Sequence, residues 1–106
     1  MKSKHLLVLA ACFTLSANVY AEGGYQLAQK HMCTACHSLD RKIIGPPWMS
    51  ISTMYQSRPD AETFLIAKIR NGGTGTWGTA QMPPSNNVGE ADIRILAKYI
   101  IGLVKE

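Results

Sequence analysis

The chain of 106 residues lacks several features that would place it in large classes of protein. Outside its first 21 residues it has no apolar run of the roughly 20 residues that cross a bilayer, so we expect no transmembrane helix. It has no alternating strand pattern, no internal repeat and no low-complexity segment. The net charge is +4, and it falls to +2 when Lys2 and Lys4 in the first 21 residues, which are considered next, are left out. This excess of positive charge is too small to indicate a nucleic-acid partner.

The first 21 residues have the composition of a secretory signal peptide. Lys2 and Lys4 supply the positive charge, Leu6 to Ala17 form the apolar core, and Val19-Tyr20-Ala21 is a small-residue cleavage site. The sequence therefore predicts a signal peptide over residues 1–21, export to the periplasm, and one mature domain over residues 22–106.

Cys12 leaves a second interpretation of this leader open. It follows Leu9-Ala10-Ala11, which resembles the lipobox of bacterial lipoproteins. Only about half a dozen apolar residues precede it, fewer than the usual 7–15 or so. The apolar run also continues beyond it to Val19. We expect Cys12 to be removed with the leader, and lipid anchoring through it is the alternative.

Once the leader is removed, Cys33 and Cys36 are the only cysteines, and with His37 they form the motif that attaches c-type haem. On a helical stretch the three residues fall at i, i+3 and i+4 and share one face. Two thiols can then form thioethers with one porphyrin while His37 binds its iron. A disulfide stays an alternative for this pair, whereas a thioredoxin-like fold would need strands that the pattern lacks. A zinc site would have to draw its four ligands from one short stretch.

The mature chain reads as short helices joined by loops, an all-α fold class. We predict helices over residues 25–32 and 49–55, a third that opens at Pro59-Asp60, and a fourth with Gly89 as its N-cap. Gly23-Gly24 reads as a flexible lead-in, and Gly72 to Asn87 as a long irregular loop. The fourth helix carries apolar residues at three- and four-residue steps, namely Ile93, Leu96, Ala97, Ile100 and Val104.

The long loop contains Gln81-Met82-Pro83-Pro84. The two prolines restrict the backbone beside the methionine, and a thioether is a soft, neutral ligand that raises the reduction potential of a haem. Met82 is therefore the predicted second axial ligand. The rival methionines are Met32, Met49 and Met54.

Four segments, in this order and spacing, resemble the class I cytochromes c, specifically their short bacterial monohaem subgroup. They are CTACHSLDRKIIGPP at 33–47, IRNGGTGTWG at 69–78, MPP at 82–84 and LAKYI at 96–100. The resemblance implies a class I cytochrome c fold, in which short helices and long loops pack around one covalently bound haem c. It also implies a monomeric, non-enzymatic protein that carries single electrons.

The resemblance assigns roles to individual residues. Cys33 and Cys36 match the thioether cysteines, and His37 and Met82 match the axial ligands. Pro46 matches a proline whose carbonyl accepts the other ring N–H of the axial histidine, a bond that orients the ring.

Further residues of the haem pocket follow from the same resemblance. Trp77 matches a tryptophan whose indole N–H reaches a haem propionate, and Lys68 lies where the family often has a propionate-binding arginine. Tyr99 matches an aromatic residue of the last helix that packs on the first. Ser85 departs from the family, which often has an asparagine after the Met-Pro-Pro unit. Trp48 is expected to pack in the pocket or core.

We therefore expect a periplasmic single-electron carrier that shuttles electrons between quinol-oxidising donors and reductase or oxidase acceptors. Docking is expected through a basic rim that includes Lys30 and Lys42. The alternative is a tightly bound electron-transfer subunit of a periplasmic dehydrogenase or oxidase. A sensor in which Met82 detaches is disfavoured, because Pro83-Pro84 stiffens the chain beside it.

Overall fold

The computed structural model describes residues 3–5, 7–12 and 19–105. Most of the described chain is helical, with one small hairpin. No helix among these residues is both long and apolar enough to cross a membrane. In chain order, the elements are helix α1 (Val19–Lys30), a 3₁₀ helix (Cys33–Ala35), α2 (Trp48–Tyr55), α3 (Ala61–Asn71), β1 (Gly73–Gly75), β2 (Gly78–Met82) and α4 (Glu90–Ile101).

Helix α4 is the element on which the others pack, since it contacts α1, α2 and α3. Gly89 lies in extended backbone at its N-cap, as predicted, and Glu90 and Asp92 lie in its first turn, where their charge favours the helix dipole. Four of the five residues of its predicted stripe are buried, and Val104 lies beyond the helix end. The core is formed by Ala28, Trp48, Ile51, Leu65, Ile69, Ile93, Leu96, Ala97 and Ile100.

Gly24 contradicts the prediction of a flexible lead-in. Helix α1 already includes Gly23 and Gly24, and Gly24 is buried against the side chain of Tyr99 on α4. Tyr99 therefore packs on the first helix, as the resemblance implies. A glycine was needed here because the two helices approach too closely for a side chain.

The segment from Gly72 to Asn87 contains a strand pair, which corrects the prediction of an entirely irregular loop. Strands β1 and β2 are antiparallel, with Gly73 opposite Met82 and Gly75 opposite Gly78. Every residue of the pair except Met82 is exposed. Exposure on both faces removes the apolar alternation by which a strand is usually found in a sequence.

The predicted signal peptide falls largely on residues that are not described. Residues 1, 2, 6 and 13–18 lie outside the described part, so its apolar core from Leu6 to Ala17 is only partly covered. Cys12 is described, and it is an exposed free thiol. The extent of the leader and the lipidation of Cys12 stay predictions.

Candidate functional site

The attachment motif lies in a tight turn directly after α1. Met32 adopts a left-handed conformation, with φ of 63°, and turns the chain into the 3₁₀ helix. The amide of Cys36 donates to the carbonyl of Cys33 at 3.2 Å, and the amide of His37 donates to the same carbonyl at 3.0 Å. The stretch is thus helical, as predicted, but it is a 3₁₀ turn, which is narrower than an α-helix. Cys33, Cys36 and His37 lie within this one turn.

Both cysteines are free thiols. Burial raises the pKa of the Cys33 thiol above its usual value, with a smaller contribution in the same direction from Cys36. A reactive redox cysteine needs the opposite shift, because the thiolate is the nucleophile. The environment of Cys33 therefore lacks the pKa shift that is typical of a redox-active cysteine.

His37 is buried, and its ring is oriented by the backbone nine residues along the chain. Its Nδ1 lies 2.8 Å from the carbonyl oxygen of Pro46, so Nδ1 carries the proton and donates to that oxygen. This tautomer leaves the lone pair of Nε2 free to bind a metal. The contact is the one that the resemblance implies for Pro46.

The chain between His37 and Pro46 is held in place by further backbone hydrogen bonds. The amide of Gly45 donates to the carbonyl of Cys36 at 2.8 Å, and His37 and Lys42 form an isolated antiparallel bridge. A methyl group on Gly45 would lie 2.7 Å from Cε1 of His37. Gly45 therefore allows the backbone to approach the imidazole closely.

His37 and Met82 line the same cleft, which consists of two adjoining cavities. Both cavities are also lined by Ile51, Leu65 and Lys68. The larger one adds Cys36, Pro46 and Trp77, and the smaller one adds Cys33, so all seven predicted site residues line the cleft.

Met82 alone lines the cleft among the methionines in the described part of the chain. The rival residues point elsewhere and are substantially exposed: Met32 by 70%, Met54 by 50% and Met49 by 40%.

Three backbone contacts position Met82. It is the last residue of β2 and pairs with Gly73. The backbone of Gly72 lies against the Met82 carbonyl so closely that a side chain would not fit. Beyond the prolines, the amide of Ser85 donates to the carbonyls of Ile69 and Arg70 at the end of α3, at 3.2 and 3.1 Å. The segment that carries Met82 is thus held by the last turn of α3 and by the two glycines that follow it.

Trp77 and Lys68 lie at the rim of the cleft. Trp77 is half-buried in the turn of the hairpin, edge-on to Tyr55 with ring centroids 6.4 Å apart. Lys68 is exposed, and its Nζ lies 5.7 Å from the ring centroid of Phe64.

His31 has a partner that local sequence reasoning missed. Its Nε2 lies 2.9 Å from Oδ2 of Asp92, and the two side chains are 13% and 30% exposed. His31 does not line the cleft. The pair joins the end of α1 to the start of α4 across 61 positions, so no spacing in the sequence signalled it.

The donor set fits a covalently attached haem. It provides two free thiols on one turn, an imidazole with Nε2 available, and a thioether lining the same mostly apolar cleft. The part of the chain that the structure describes has no cluster of three or more His, Cys, Asp or Glu side chains able to hold a metal ion.

Comparison with known proteins agrees with this chemistry. The family model "Cytochrome c" matches residues 21–103. Cytochrome c-552 of Nitrosomonas europaea is 41% identical over an alignment that spans 97% of this chain and 99% of the relative. Cytochrome c-551 of Pseudomonas aeruginosa is 36% identical over 95% of this chain and 97% of the relative.

Solved structures give the same result. The crystal structure of wild-type Nitrosomonas europaea cytochrome c552 superposes with a TM-score of 0.73 at 41% identity. The superposition spans 76% of this chain and 99% of the crystallised chain. The class 1 cytochrome MtoD of Sideroxydans lithotrophicus shares the fold, with a TM-score of 0.66 at 22% identity. The chain belongs to the cytochrome c family, as a class I monohaem cytochrome that binds one covalent haem c.

Proposed function

We propose that the protein is a periplasmic single-electron carrier. Cys33 and Cys36 hold its haem through thioethers, and His37 and Met82 are the two axial ligands. The observation that carries this proposal is that His37 and Met82 line one cleft, into which the two thiols also open. When bound, the haem supplies an iron centre that accepts and returns one electron. We propose a carrier that makes and breaks no substrate bond, and not an enzyme.

Each ligand has a distinct effect on the electron that is carried. The hydrogen bond from Nδ1 of His37 to Pro46 fixes the tautomer and increases the basicity of Nε2. The Met82 thioether is neutral and soft, which favours the reduced state and raises the potential. Because backbone contacts hold both residues, little protein rearrangement should accompany a change of charge at the iron.

Trp77 and Lys68 are proposed to face the haem propionates. The indole N–H of Trp77 is a donor at the rim of the cleft, where a carboxylate would be a suitable acceptor. Lys68 supplies a positive charge at the same rim. It lacks the bidentate fork of arginine, so its contact should be weaker and less directional.

Periplasmic location rests on the leader over residues 1–21. The full sequence of the Nitrosomonas europaea relative covers 97% of this chain, whereas its crystallised form covers 76%. That difference supports removal of an equivalent leader from the present chain. We propose a monomer without a lipid anchor that exchanges electrons with larger periplasmic redox proteins.

The tightly bound subunit is the less favoured alternative. The relatives that match over nearly the whole chain are small cytochromes of the same length, since this chain covers 99% and 97% of two of them.

Intact mass spectrometry of the protein purified from periplasm tests the proposal. The mass should equal residues 22–106 plus one haem, and the haem should resist extraction by acidified acetone. A redox titration should then show one reversible one-electron transition. Haem that extracts freely, or a mass without haem, would contradict the assignment of Cys33 and Cys36.

A further inference from the structure

The imidazole of His37 stacks on the indole of Trp48. Their ring centroids are 5.8 Å apart, and the ring planes differ by 21°. Trp48 is the first residue of α2 and is only 2% exposed. From the sequence, Trp48 is expected to contribute packing alone, but this contact involves the side chain that is proposed to bind iron.

A single hydrogen bond does not define the plane of an imidazole. The bond between Cβ and the ring of a histidine has a broad torsional preference, so the ring can turn with little penalty. The contact from Nδ1 to the Pro46 carbonyl anchors one edge of the His37 ring but leaves the ring free to tilt about that edge. A flat neighbour in near-parallel contact restricts this tilt.

The indole of Trp48 is itself held by two other rings. Tyr25 meets it edge-on, with centroids 6.4 Å apart and an angle of 89°, and Tyr99 does so at 6.1 Å and 77°. The amide of Trp48 also donates to the carbonyl of Ser38 at 3.0 Å. The rings of α1 and α4 thus restrict the plane of the indole, and the amide hydrogen bond holds the backbone that carries it.

We propose that Trp48 is a positioning residue that sets the plane of the His37 imidazole. The inference rests on the proposed function, in which His37 is an axial ligand. The plane of an imidazole ligand determines which iron d orbital overlaps its π system, and therefore the magnetic anisotropy of the ferric centre. A ring held in one plane gives a single magnetic anisotropy, whereas a ring that tilts gives a distribution of anisotropies and therefore of g values.

The ferric holoprotein allows a direct test by electron paramagnetic resonance and by the proton NMR shifts of the haem methyl groups. In Trp48→Leu the flat neighbour is lost, so the largest g value should shift by more than the wild-type linewidth and its signal should broaden. Trp48→Phe keeps a flat ring and should restore most of the wild-type spectrum. Trp48→Met provides a second non-planar variant if Trp48→Leu does not accumulate.

Ile93→Ala is the matched control. Ile93 is buried in the same core, 1% exposed, but does not line the cleft. It should lower the stability of the fold and leave the g values unchanged. A non-planar variant of Trp48 with wild-type g values and linewidth would overturn the proposal.

The far-red charge-transfer band between sulfur and ferric iron separates this inference from the proposed function. If the wild-type protein lacks the band, methionine ligation and the proposed function fail. If the band is present in every variant and the g values still do not move, only the role of Trp48 is wrong.

Discussion

Gly24 of α1 lies directly under the ring of Tyr99 of α4. A methyl group on Gly24 would overlap Cβ and Cγ of Tyr99 and come within 2.8 Å of its Cδ2. The neighbouring Gly23 has open space where its side chain would be. Helices α1 and α4 therefore pack so closely at this point that residue 24 has room for the hydrogen atom of glycine and for no larger side chain.

Replacement of these adjacent glycines should have unequal effects on stability. Gly24→Ala forces the helices apart or turns Tyr99, and overpacking of this kind costs about 1–3 kcal/mol of unfolding free energy. Gly23→Ala meets no atom and lies near the proposed mature N-terminus, so it should change stability by less than about 0.5 kcal/mol. Denaturant titration of the two holoproteins measures both, and equal effects would contradict the packing.

Gly72→Ala should weaken the binding of Met82 to iron. Gly72 has φ of 66° and ψ of −154°, a region that essentially only glycine adopts, so another residue would be strained there by about 1–3 kcal/mol. The new methyl group would also meet the Met82 carbonyl and lie 2.8 Å from the carbonyl carbon of Pro83. We expect faster cyanide binding to the ferric protein. Gly89→Ala is the control: it weakens a helix cap, but it meets no atom within 4 Å and should leave the cyanide rate unchanged.

Met82→Ala should abolish the far-red band and allow carbon monoxide to bind the ferrous protein readily. The reason is that loss of the only thioether lining the cleft, among the described residues, leaves one iron position without a protein ligand. Met49→Ala and Met54→Ala remove exposed methionines and should keep the band. The ligand assignment is wrong if one of these two variants loses the band and Met82→Ala retains it.

The hydrogen bond between His31 and Asp92 should stabilise the fold, and replacement of either residue by alanine should remove it. A double-mutant cycle with His31→Ala and Asp92→Ala should give a coupling energy of about 1 kcal/mol, because the pair is largely shielded from water. The pair of Arg58 and Asp60 is more exposed, at 41% and 58%, and should give a smaller coupling. A coupling near zero for the first pair would show that it has no structural role.

Electron exchange with an acidic partner should slow as salt rises. Lys30 and Lys42 are exposed, and the backbone of Lys42 pairs with that of His37, which places it beside the attachment motif. The Debye length shrinks from about 30 Å at 0.01 M salt to about 10 Å at 0.1 M, so steering should fade over this range.

Lys42→Glu should lower the bimolecular rate at low salt, as measured by stopped-flow. Lys105→Glu makes the same change in net charge at an exposed position beyond the end of α4, without the pairing to the attachment motif that Lys42 has, and it should have a smaller effect. A rate that is indifferent to salt would indicate apolar docking instead.

Local patterns in the sequence were sufficient to predict the haem-attachment motif and most of the helices. The spacing of Cys33, Cys36 and His37 is a property of neighbouring residues, and so are the apolar period of α4 and its start at Gly89. These signals act within a few residues, because one turn of backbone brings such positions together. The choice of Met82 over three rivals followed in the same way from the prolines beside it.

Tertiary structure decided the features that depend on distant segments. The close approach of Gly24 and Tyr99, the pair of His31 and Asp92, and the strand pair around Gly73 involve contacts that local spacing does not encode. The plane of His37 belongs with them, since Trp48 acquires its orientation from tyrosines on the first and last helices. Sequence by itself was sufficient to predict which groups would meet the haem, because most of them lie in local motifs. Only the folded chain determined how rigidly they are held, because that depends on packing between α1, α2 and α4.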